Sequence, residues 1–370
     1  MIPPRSPSRV ACRIWIGAAI VLVGVLLVQA EGKALRSFGN DFTAYLDAAR
    51  ALAGGGNPYV ASERFPYSYP LTLAWMLAPL LFVPIWLAAA VWFGVTMFSY
   101  WRVVNHSALA GPDRLTRCEV ISLAVIVAVA LLQIVQNELL NGQINLAVAA
   151  VALGSVALAE RGRPIPAAML WGLGIALKLF PLILAPWFLV RRRWTELFGG
   201  LLAAAVLCLL PVAWVGSDAV RWTIDYFGRI SAGQAGATHV PDFIHLNVAW
   251  TIGHVAGFAS TPAWLLLLTT VVLMGLAIAA DIRRGRDGSL RSAAMYLSLV
   301  VLLSPKSETH HMVFTIPAVI VLAVRTATMA RLMALALLVL IFNVGFVTPA
   351  VRDPFLLIFA LGIAAWSMVE

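Results

Sequence analysis

Long apolar runs separated by short polar connectors dominate the pattern along the chain. A membrane-spanning helix requires about 20 predominantly apolar residues, or fewer where the helix is broken. The runs predict spans at residues 14–28, 85–103, 120–135, 146–159, 165–177, 179–190, 197–215, 263–280, 292–303, 312–324, 332–347 and 355–368. The pattern therefore predicts an all-α integral membrane protein with about 12 transmembrane helices (range about 10–13). We expect a single polytopic membrane domain over residues 1–370.

Composition agrees with this pattern over the whole chain. Of the 370 residues, 61% are hydrophobic and 12% are charged, whereas soluble domains carry roughly 45–50% apolar and ~25% charged residues. One soluble core cannot bury such an excess, so the lipid bilayer is expected to surround most of the chain. The three cysteines show neither metal-ligand spacing nor a disulfide framework. We expect no metal and no cofactor.

The basic residues cluster at the ends of apolar runs. The net charge of +9 could indicate nucleic-acid binding, but the arginines at 191–193 and 283–284 each follow a predicted span. Such clusters are typical of cytoplasmic loops, so we expect no nucleic-acid partner. This positive-inside rule, applied to the predicted spans, indicates a multi-pass protein of the cell membrane with cytoplasmic N- and C-termini. Two long loops, residues 29–84 and 216–262, then lie on the outer face.

The first outer loop contains apolar residues at helical spacing after Asp41. Residues 42–53 predict an amphipathic helix at the outer membrane surface. Asp41 lies at or just before its first turn. Two interpretations of this carboxylate remain open, a helix N-cap, which aspartate fills well, and a catalytic base.

Polar residues also interrupt the apolar sequence around Glu138 and at Lys178. The segment Asn141-Gly142-Gln143-Ile144-Asn145 suits a turn between helices, but its amides, with Glu138 nearby, are more polar than a turn requires. Polar groups at membrane depth are costly and usually functional. Lys178 stands alone between apolar residues, close to Pro181. It either extends its ammonium group toward water or holds a phosphate.

A further polar run, residues 304–311, separates two predicted spans and contains Lys306, Glu308, His310 and His311. Adjacent histidines on a helix point in different directions, so we do not expect them to share a metal ion. The run is either an ordinary polar loop or part of a functional site. Weaker candidates in the second long loop are His239, Asp242 and His245.

In their order along the chain, these motifs resemble glycosyltransferase family 87. The resemblance covers nearly the whole chain and rests on Asp41 with Tyr45, Gly56-Asn57-Pro58-Tyr59, Tyr67-Ser68-Tyr69-Pro70, Gly142-Gln143-Ile144-Asn145, Ala176-Leu177-Lys178-Leu179-Phe180-Pro181, and Ser304-Pro305 with His310-His311. The family commonly has an aromatic residue just before the histidine pair, where this chain has Glu308-Thr309. The resemblance implies a GT-C-type multi-helix bundle with its active site facing outside.

The resemblance also implies a reaction. The family transfers a sugar, such as mannose or arabinofuranose, from a polyprenyl-phosphate donor, here to a hydroxyl of a glycolipid or cell-envelope glycan. Asp41 matches the family's general base, and one carboxylate suffices for a single inverting displacement. For the donor phosphate, which needs cationic stabilisation, we expect Lys178, Lys306, His310, His311 and Arg64. For substrate contacts, including tyrosine rings that suit stacking on a sugar, we expect Tyr45, Asn57, Tyr59, Tyr67, Tyr69, Asn141, Gln143 and Asn145.

A transporter or lipid flippase is the alternative from another class, because broken helices with polar groups also occur in transporters. The sequence shows no paired inverted repeat, and its polar groups cluster on one predicted face, which favours the enzyme. A third possibility is a catalytically inactive scaffold, suggested by the departure at Glu308 and Thr309.

Overall fold

Helices make up the architecture of the described chain. The computed structural model describes residues 9–36, 40–61, 67–111, 114–231, 246–258, 260–285, 288–304, 307–325 and 349–369, and these ranges contain helices and no strand. The all-α class is thus confirmed for them. The α-helices are α1 (Arg9–Ala34), α2 (Asp41–Ala53), α3 (Leu71–Leu77), α4 (Ile85–Ala108), α5 (Arg117–Ala130), α6 (Leu132–Asn141), α7 (Asn145–Glu160), α8 (Pro164–Leu177), α9 (Ala185–Val190), α10 (Trp194–Leu209), α11 (Val212–Val215), α12 (Ser217–Ser231), α13 (Val248–Val255), α14 (Ala263–Arg284), α15 (Ser289–Leu303), α16 (Ile316–Arg325) and α17 (Pro349–Val369). Short 3-10 helices cover Pro58–Val60, Ala78–Phe82, Phe180–Leu184 and Thr309–Thr315.

Within the described ranges, four helical segments are long and apolar enough to cross a membrane, namely Arg9–Ala34, Ile85–Ala108, Trp194–Val215 and Ala263–Arg284. The bent pair of α5 and α6 would be a fifth. Other predicted spans form apolar helices of 10–17 residues, below the about 20 residues that a straight span requires. The total of about 12 spans therefore stays a prediction, and the predicted span at 332–347 lies outside the described residues.

The predicted span at 120–135 is not one continuous helix. α5 ends at Ala130, α6 begins at Leu132, and the two helices meet at 87°. Leu131 between them has φ −108° and ψ 31°, which lies outside the helical region. The bend separates the apolar α5 from α6, whose end carries Glu138 and Asn141.

α7 and α15 form the centre of the bundle, since most residues of each are buried. α4 and α8 pack against α7, and α16 packs against both α4 and α15. α2 forms within the predicted amphipathic stretch, and it buries most of its apolar face against α3 and the neighbouring 3-10 helices. A position of α2 at the membrane surface stays a prediction.

The central helices carry polar site candidates at one end and arginines at the other. α7 begins at Asn145 and is followed by Arg161, whereas α8 follows Arg163 and is followed by Lys178. α15 has Arg291 in its first turn and the polar run after its last. The two groups therefore lie at opposite ends of these helices. By the positive-inside rule the end with Lys178 would face outside, and this orientation stays a prediction.

Candidate active site

Gln143 is the centre of a polar cluster formed by α2, the segment before α3 and the α6–α7 turn. Its amide nitrogen donates to Asp41 Oδ2, and its Oε1 accepts from the Tyr69 hydroxyl at 3.1 Å. The Tyr45 hydroxyl donates to the Tyr69 oxygen at 2.9 Å. Burial raises the pKa of Tyr45 and of Tyr69 well above the ordinary value, so both hydroxyls remain neutral. Gln143 therefore links the Asp41 carboxylate to two neutral tyrosines.

Asp41 is the first residue of α2, and Asn40 is the residue that caps this helix. The Asn40 side chain accepts from the Thr43 backbone N–H at 3.2 Å, and Thr43 Oγ1 accepts from the Asn40 N–H at 2.9 Å. Asn40 also donates to the Leu140 carbonyl oxygen at 3.0 Å, which ties α2 to the end of α6. The N-cap interpretation of Asp41 is therefore wrong. The half-buried carboxylate instead faces Gln143, and its role as a base stays a prediction.

The α6–α7 turn approaches α2 closely at Gly142. This glycine has φ +63°, and a Cβ added to it would lie 2.6 Å from Phe42 Cβ. The Phe42 ring stacks on Trp92 with 5.4 Å between centroids, and the Trp92 indole nitrogen donates to the Gly142 carbonyl at 2.8 Å. Because Phe42 follows Asp41 directly, this contact fixes the first turn of α2 relative to Gln143.

Lys178 lies on the other side of Tyr69. It follows the last residue of α8 with extended backbone angles, φ −160° and ψ 135°, and Pro181, three residues on, has no N–H with which to continue the helix. The Lys178 ammonium donates to Asn145 Oδ1 at 2.7 Å and lies 5.2 Å from the centre of the Tyr69 ring. Tyr69 thus contacts both halves of the cluster, the Asp41 side through its hydroxyl and the Lys178 side through its ring.

Glu138 is a member of this cluster that the sequence interpretation noted but did not assign. It is fully buried, and its two oxygens accept from Asn145 Nδ2 and from the Leu146 N–H, each at 2.9 Å. Asn145 therefore lies between the Glu138 carboxylate and the Lys178 ammonium. Burial lowers the pKa of Lys178 to about 8, and the negative charge of Glu138 opposes that shift. The sequence signal for this role was a carboxylate beside amides, Gln136, Asn137 and Asn141, between two predicted spans.

His311 places a second nitrogen donor beside Lys178. The Glu308 backbone N–H donates to His311 Nδ1 at 3.0 Å, so in the neutral ring Nδ1 is unprotonated and Nε2 carries the proton. Nε2 lies 3.3 Å from Lys178 Nζ. Two donors cannot bond to each other when the lysine is charged, whereas both can donate to one oxygen of an anion. The pair has the chemistry of a phosphate site.

Glu308 also contacts the neighbouring histidine, with its Oε2 3.4 Å from His310 Nδ1. Glu308 precedes the Thr309–Thr315 helix, and with Thr309 it stands where the resemblance suggested an aromatic residue just before the histidine pair. Glu308 therefore contacts His310 through its side chain and His311 through its backbone N–H.

Two other tyrosines predicted to contact substrate, Tyr59 and Tyr67, form hydrogen bonds with the segment around Tyr69. The Tyr67 side chain is buried, and its hydroxyl accepts from the Ala74 N–H at 3.0 Å. The Tyr59 hydroxyl donates to the Tyr69 carbonyl at 3.1 Å, and Asn57 accepts from the Tyr59 N–H at 3.0 Å. These residues hold the segment that presents Tyr69, and their contact with substrate stays a prediction.

Asn141 contacts a cation that the sequence interpretation did not include. The ammonium of Lys33, in the last turn of α1, donates to Asn141 Oδ1. No group of three or more histidine, cysteine, aspartate or glutamate side chains in the described ranges is arranged to hold a metal ion. The remaining predicted or weaker candidates, outside the described residues, are Arg64, Lys306, His239, Asp242 and His245.

Comparisons with known proteins give this cluster a chemical context. The model of glycosyltransferase family 87 matches residues 67–305. A polyprenol-phosphate-mannose-dependent alpha-(1-2)-phosphatidylinositol mannoside mannosyltransferase of Mycobacterium tuberculosis is 28% identical, over 84% of this chain and 75% of its own length. The protein of the same description from Mycolicibacterium smegmatis is 25% identical, over 87% and 78%. A polyprenol-phosphate-mannose-dependent alpha-(1-2)-phosphatidylinositol pentamannoside mannosyltransferase of Mycolicibacterium smegmatis is 27% identical, over 85% and 77%.

Proposed function

The chain belongs to glycosyltransferase family 87, and we propose that it transfers a mannosyl group from a polyprenyl-phosphate donor to a hydroxyl of a phosphatidylinositol mannoside-type glycolipid. The descriptions of the three relatives support the donor and the kind of acceptor. Between the two sugars considered from the sequence, they favour mannose over arabinofuranose. Family membership favours this enzyme over the transporter or flippase.

One arrangement carries the proposal, a carboxylate and a phosphate-type anion site on two sides of the same tyrosine. Tyr69 reaches Asp41 through Gln143, and its ring lies under the Lys178 ammonium. A glycosyl transfer from a phosphate needs these two groups near each other, because the acceptor loses a proton while the leaving group gains negative charge.

The reaction proceeds by a single displacement with inversion. The acceptor oxygen attacks the anomeric carbon, its proton passes to Asp41, and the bond from that carbon to the phosphate oxygen breaks. The electron pair of this bond leaves with the lipid phosphate, whose charge Lys178 and His311 stabilise. Glu138 does not act as a second, nucleophilic carboxylate, because Asn145 and Leu146 engage its two oxygens.

We place the reaction on the outer face of the membrane. The arginines that follow α7 and α9, and those in the last turn of α14, lie at the helix ends away from this cluster. The positive-inside rule assigns such ends to the cytoplasm, which puts both chain termini there as well.

The test is a transfer assay in membranes with radiolabelled polyprenyl-phosphate mannose and polyprenyl-phosphate arabinofuranose, comparing wild type with Asp41→Asn. Wild type is expected to transfer mannose. The Asp41→Asn variant should transfer it about 10²–10⁴-fold more slowly, the usual contribution of a general base. Its fold should persist, because Asn40 caps the helix and an amide oxygen at position 41 can still accept from Gln143.

The matched control is Asp47→Asn on the same helix, where the carboxylate pairs with exposed Arg50 at 2.7 Å. This variant makes the same chemical change away from the cluster and should keep the wild-type rate. Transfer by Asp41→Asn at close to the wild-type rate would remove Asp41 as the base, and wild-type transfer of arabinofuranose alone would overturn the assignment of mannose.

A further inference from the structure

Three amides near the α6–α7 turn, spaced two residues apart, each bind a charged side chain from another part of the fold, and Asn145 also binds Glu138. The pairs are Asn141 with Lys33, Gln143 with Asp41, and Asn145 with Lys178. The proposed function uses the second and third pairs, the base and the donor phosphate site. The first pair contains a cation, Lys33, to which the proposed function assigns no role.

The Lys33 side chain extends from α1 to the polar cluster. Its ammonium donates to Asn141, 108 residues later in the chain. The Asn141 amide nitrogen donates to Asn137 Oδ1, which turns the Asn141 oxygen toward the lysine. A lysine in the last turn of a helix often interacts only with the negative end of the helix dipole. Here backbone N–H groups of Leu35 and Arg36 bond carbonyls of that turn, and the ammonium reaches α6 instead.

Lys33 and Lys178 share Asp41 as an electrostatic partner, since its charge acts on both ammonium groups. A base that takes the acceptor's proton contacts the acceptor and lies beside the reacting carbon of the donor. Lys178, with His311, is on the side assigned to the donor phosphate. A second half-buried cation near the same base is therefore placed for an anion on the other substrate.

We propose that Lys33 and Asn141 form an acceptor subsite that binds the phosphodiester headgroup of an anionic acceptor glycolipid. An ammonium group donates up to three hydrogen bonds and binds phosphate as a point charge. Asn141 orients the lysine, and the phosphodiester accepts from the ammonium while the sugar hydroxyl of the same lipid reaches Asp41. This subsite rests on the proposed function, because it assumes that Asp41 meets the acceptor.

The test measures equilibrium binding of dioctanoyl phosphatidylinositol, an anionic probe, and octyl mannoside, a neutral probe, to the full chain in detergent. Lys33→Met should weaken binding of the anionic probe about 10- to 100-fold, as expected for loss of a charge-assisted contact. It should leave octyl mannoside and the polyprenyl-phosphate donor unaffected. Arg50→Met, the matched control, removes an exposed positive charge that pairs with Asp47 and should change none of the three affinities.

Several results would overturn the subsite. They are an unchanged affinity of Lys33→Met for phosphatidylinositol, an equal loss for octyl mannoside, and competition by inorganic phosphate as strong as that by unlabelled phosphatidylinositol. If Lys33→Met does not fold, Lys33→Gln keeps a donor for Asn141 without the charge and should show the same selective loss.

Binding and transfer separate the two proposals. Binding of phosphatidylinositol that depends on Lys33, in a wild-type protein that transfers no mannose, would retain the subsite and reject the proposed function. Mannose transfer with phosphatidylinositol binding that is insensitive to Lys33 would do the reverse.

Discussion

Replacing Gly142 by alanine tests whether the close approach of the α6–α7 turn to α2 positions the carboxylate of Asp41, the proposed base. The added Cβ would lie 2.6 Å from Phe42 Cβ, where ordinary contacts begin at 3.4 Å. Phe42 cannot turn away alone, because Trp92 stacks on its ring and bonds to the Gly142 carbonyl. The first turn of α2 must therefore move by about 1 Å, and Asp41 moves with it.

Two effects of different size follow. An alanine at φ +63° is strained by about 1–2 kcal/mol, and the collision with Phe42 adds roughly 1–3 kcal/mol of overpacking. A displacement of about 1 Å at a catalytic group can reduce turnover on the order of 10²-fold. We therefore expect a folded but less stable protein whose mannose transfer is reduced far more than its donor binding.

Gly162→Ala is the matched control. Gly162 has φ +68° with no atom within 4 Å of an added Cβ, so this variant carries the backbone strain without the collision. Thermal denaturation in detergent and the transfer assay, run on both variants, separate the two effects. Gly162→Ala should lose some stability and keep its turnover. If Gly142→Ala matched it in both measurements, the argument that this contact positions Asp41 would be refuted.

Two further variants test the charged groups at the two ends of the bundle. Lys178→Met should weaken donor binding about 10- to 100-fold, and an unchanged affinity would reject the phosphate site. Because burial lowers the pKa of Lys178 to about 8 and only its ammonium form attracts phosphate, wild-type donor affinity should fall as the pH rises through this value, and the variant should lack that titration. Asp281→Asn should lower the free energy of unfolding by about 3–5 kcal/mol, since it leaves the buried charge of Arg191 without its counter-ion at 2.6 Å. Thermal denaturation measures this loss, an unchanged melting temperature would contradict it, and the folded fraction should still transfer mannose.

The sequence predicted the helical class and the polar segments, but it did not predict the break between α5 and α6. Residues 117–141 contain neither glycine nor proline, and no local signal distinguishes Leu131 from its apolar neighbours. The 87° bend arises where tertiary packing overrides local helix preference. The hydropathy pattern alone therefore predicted one span across residues 120–135 without a bend.

The predicted N-cap of α2, Asp41, was wrong by a single residue, because two adjacent residues are both good caps. Asn and Asp are equally good caps, and Asn40 precedes Asp41, so sequence placed the helix start only to within a residue. The structure separates the two, because the Asn40 side chain accepts from Thr43 while Asp41 faces Gln143. That one-residue difference decides whether Asp41→Asn tests a cap or a base.

The sequence contained enough information to predict that Glu138 lies close to an opposite charge. In an apolar chain an isolated buried charge requires a partner, since leaving it unpaired costs several kcal/mol. Glu138 lies in a polar interruption beside Asn137, and Lys178 lies alone between apolar residues. The structure connects the two through Asn145. Arg191 and Asp281, 90 residues apart, pair directly in the same way. Few acids and bases lie inside apolar runs, so pairing them restricts which helices can be neighbours. In this protein such pairing links the end of α9 to α14 at the arginine end of the bundle, and at the other end it connects residues of the proposed anion site.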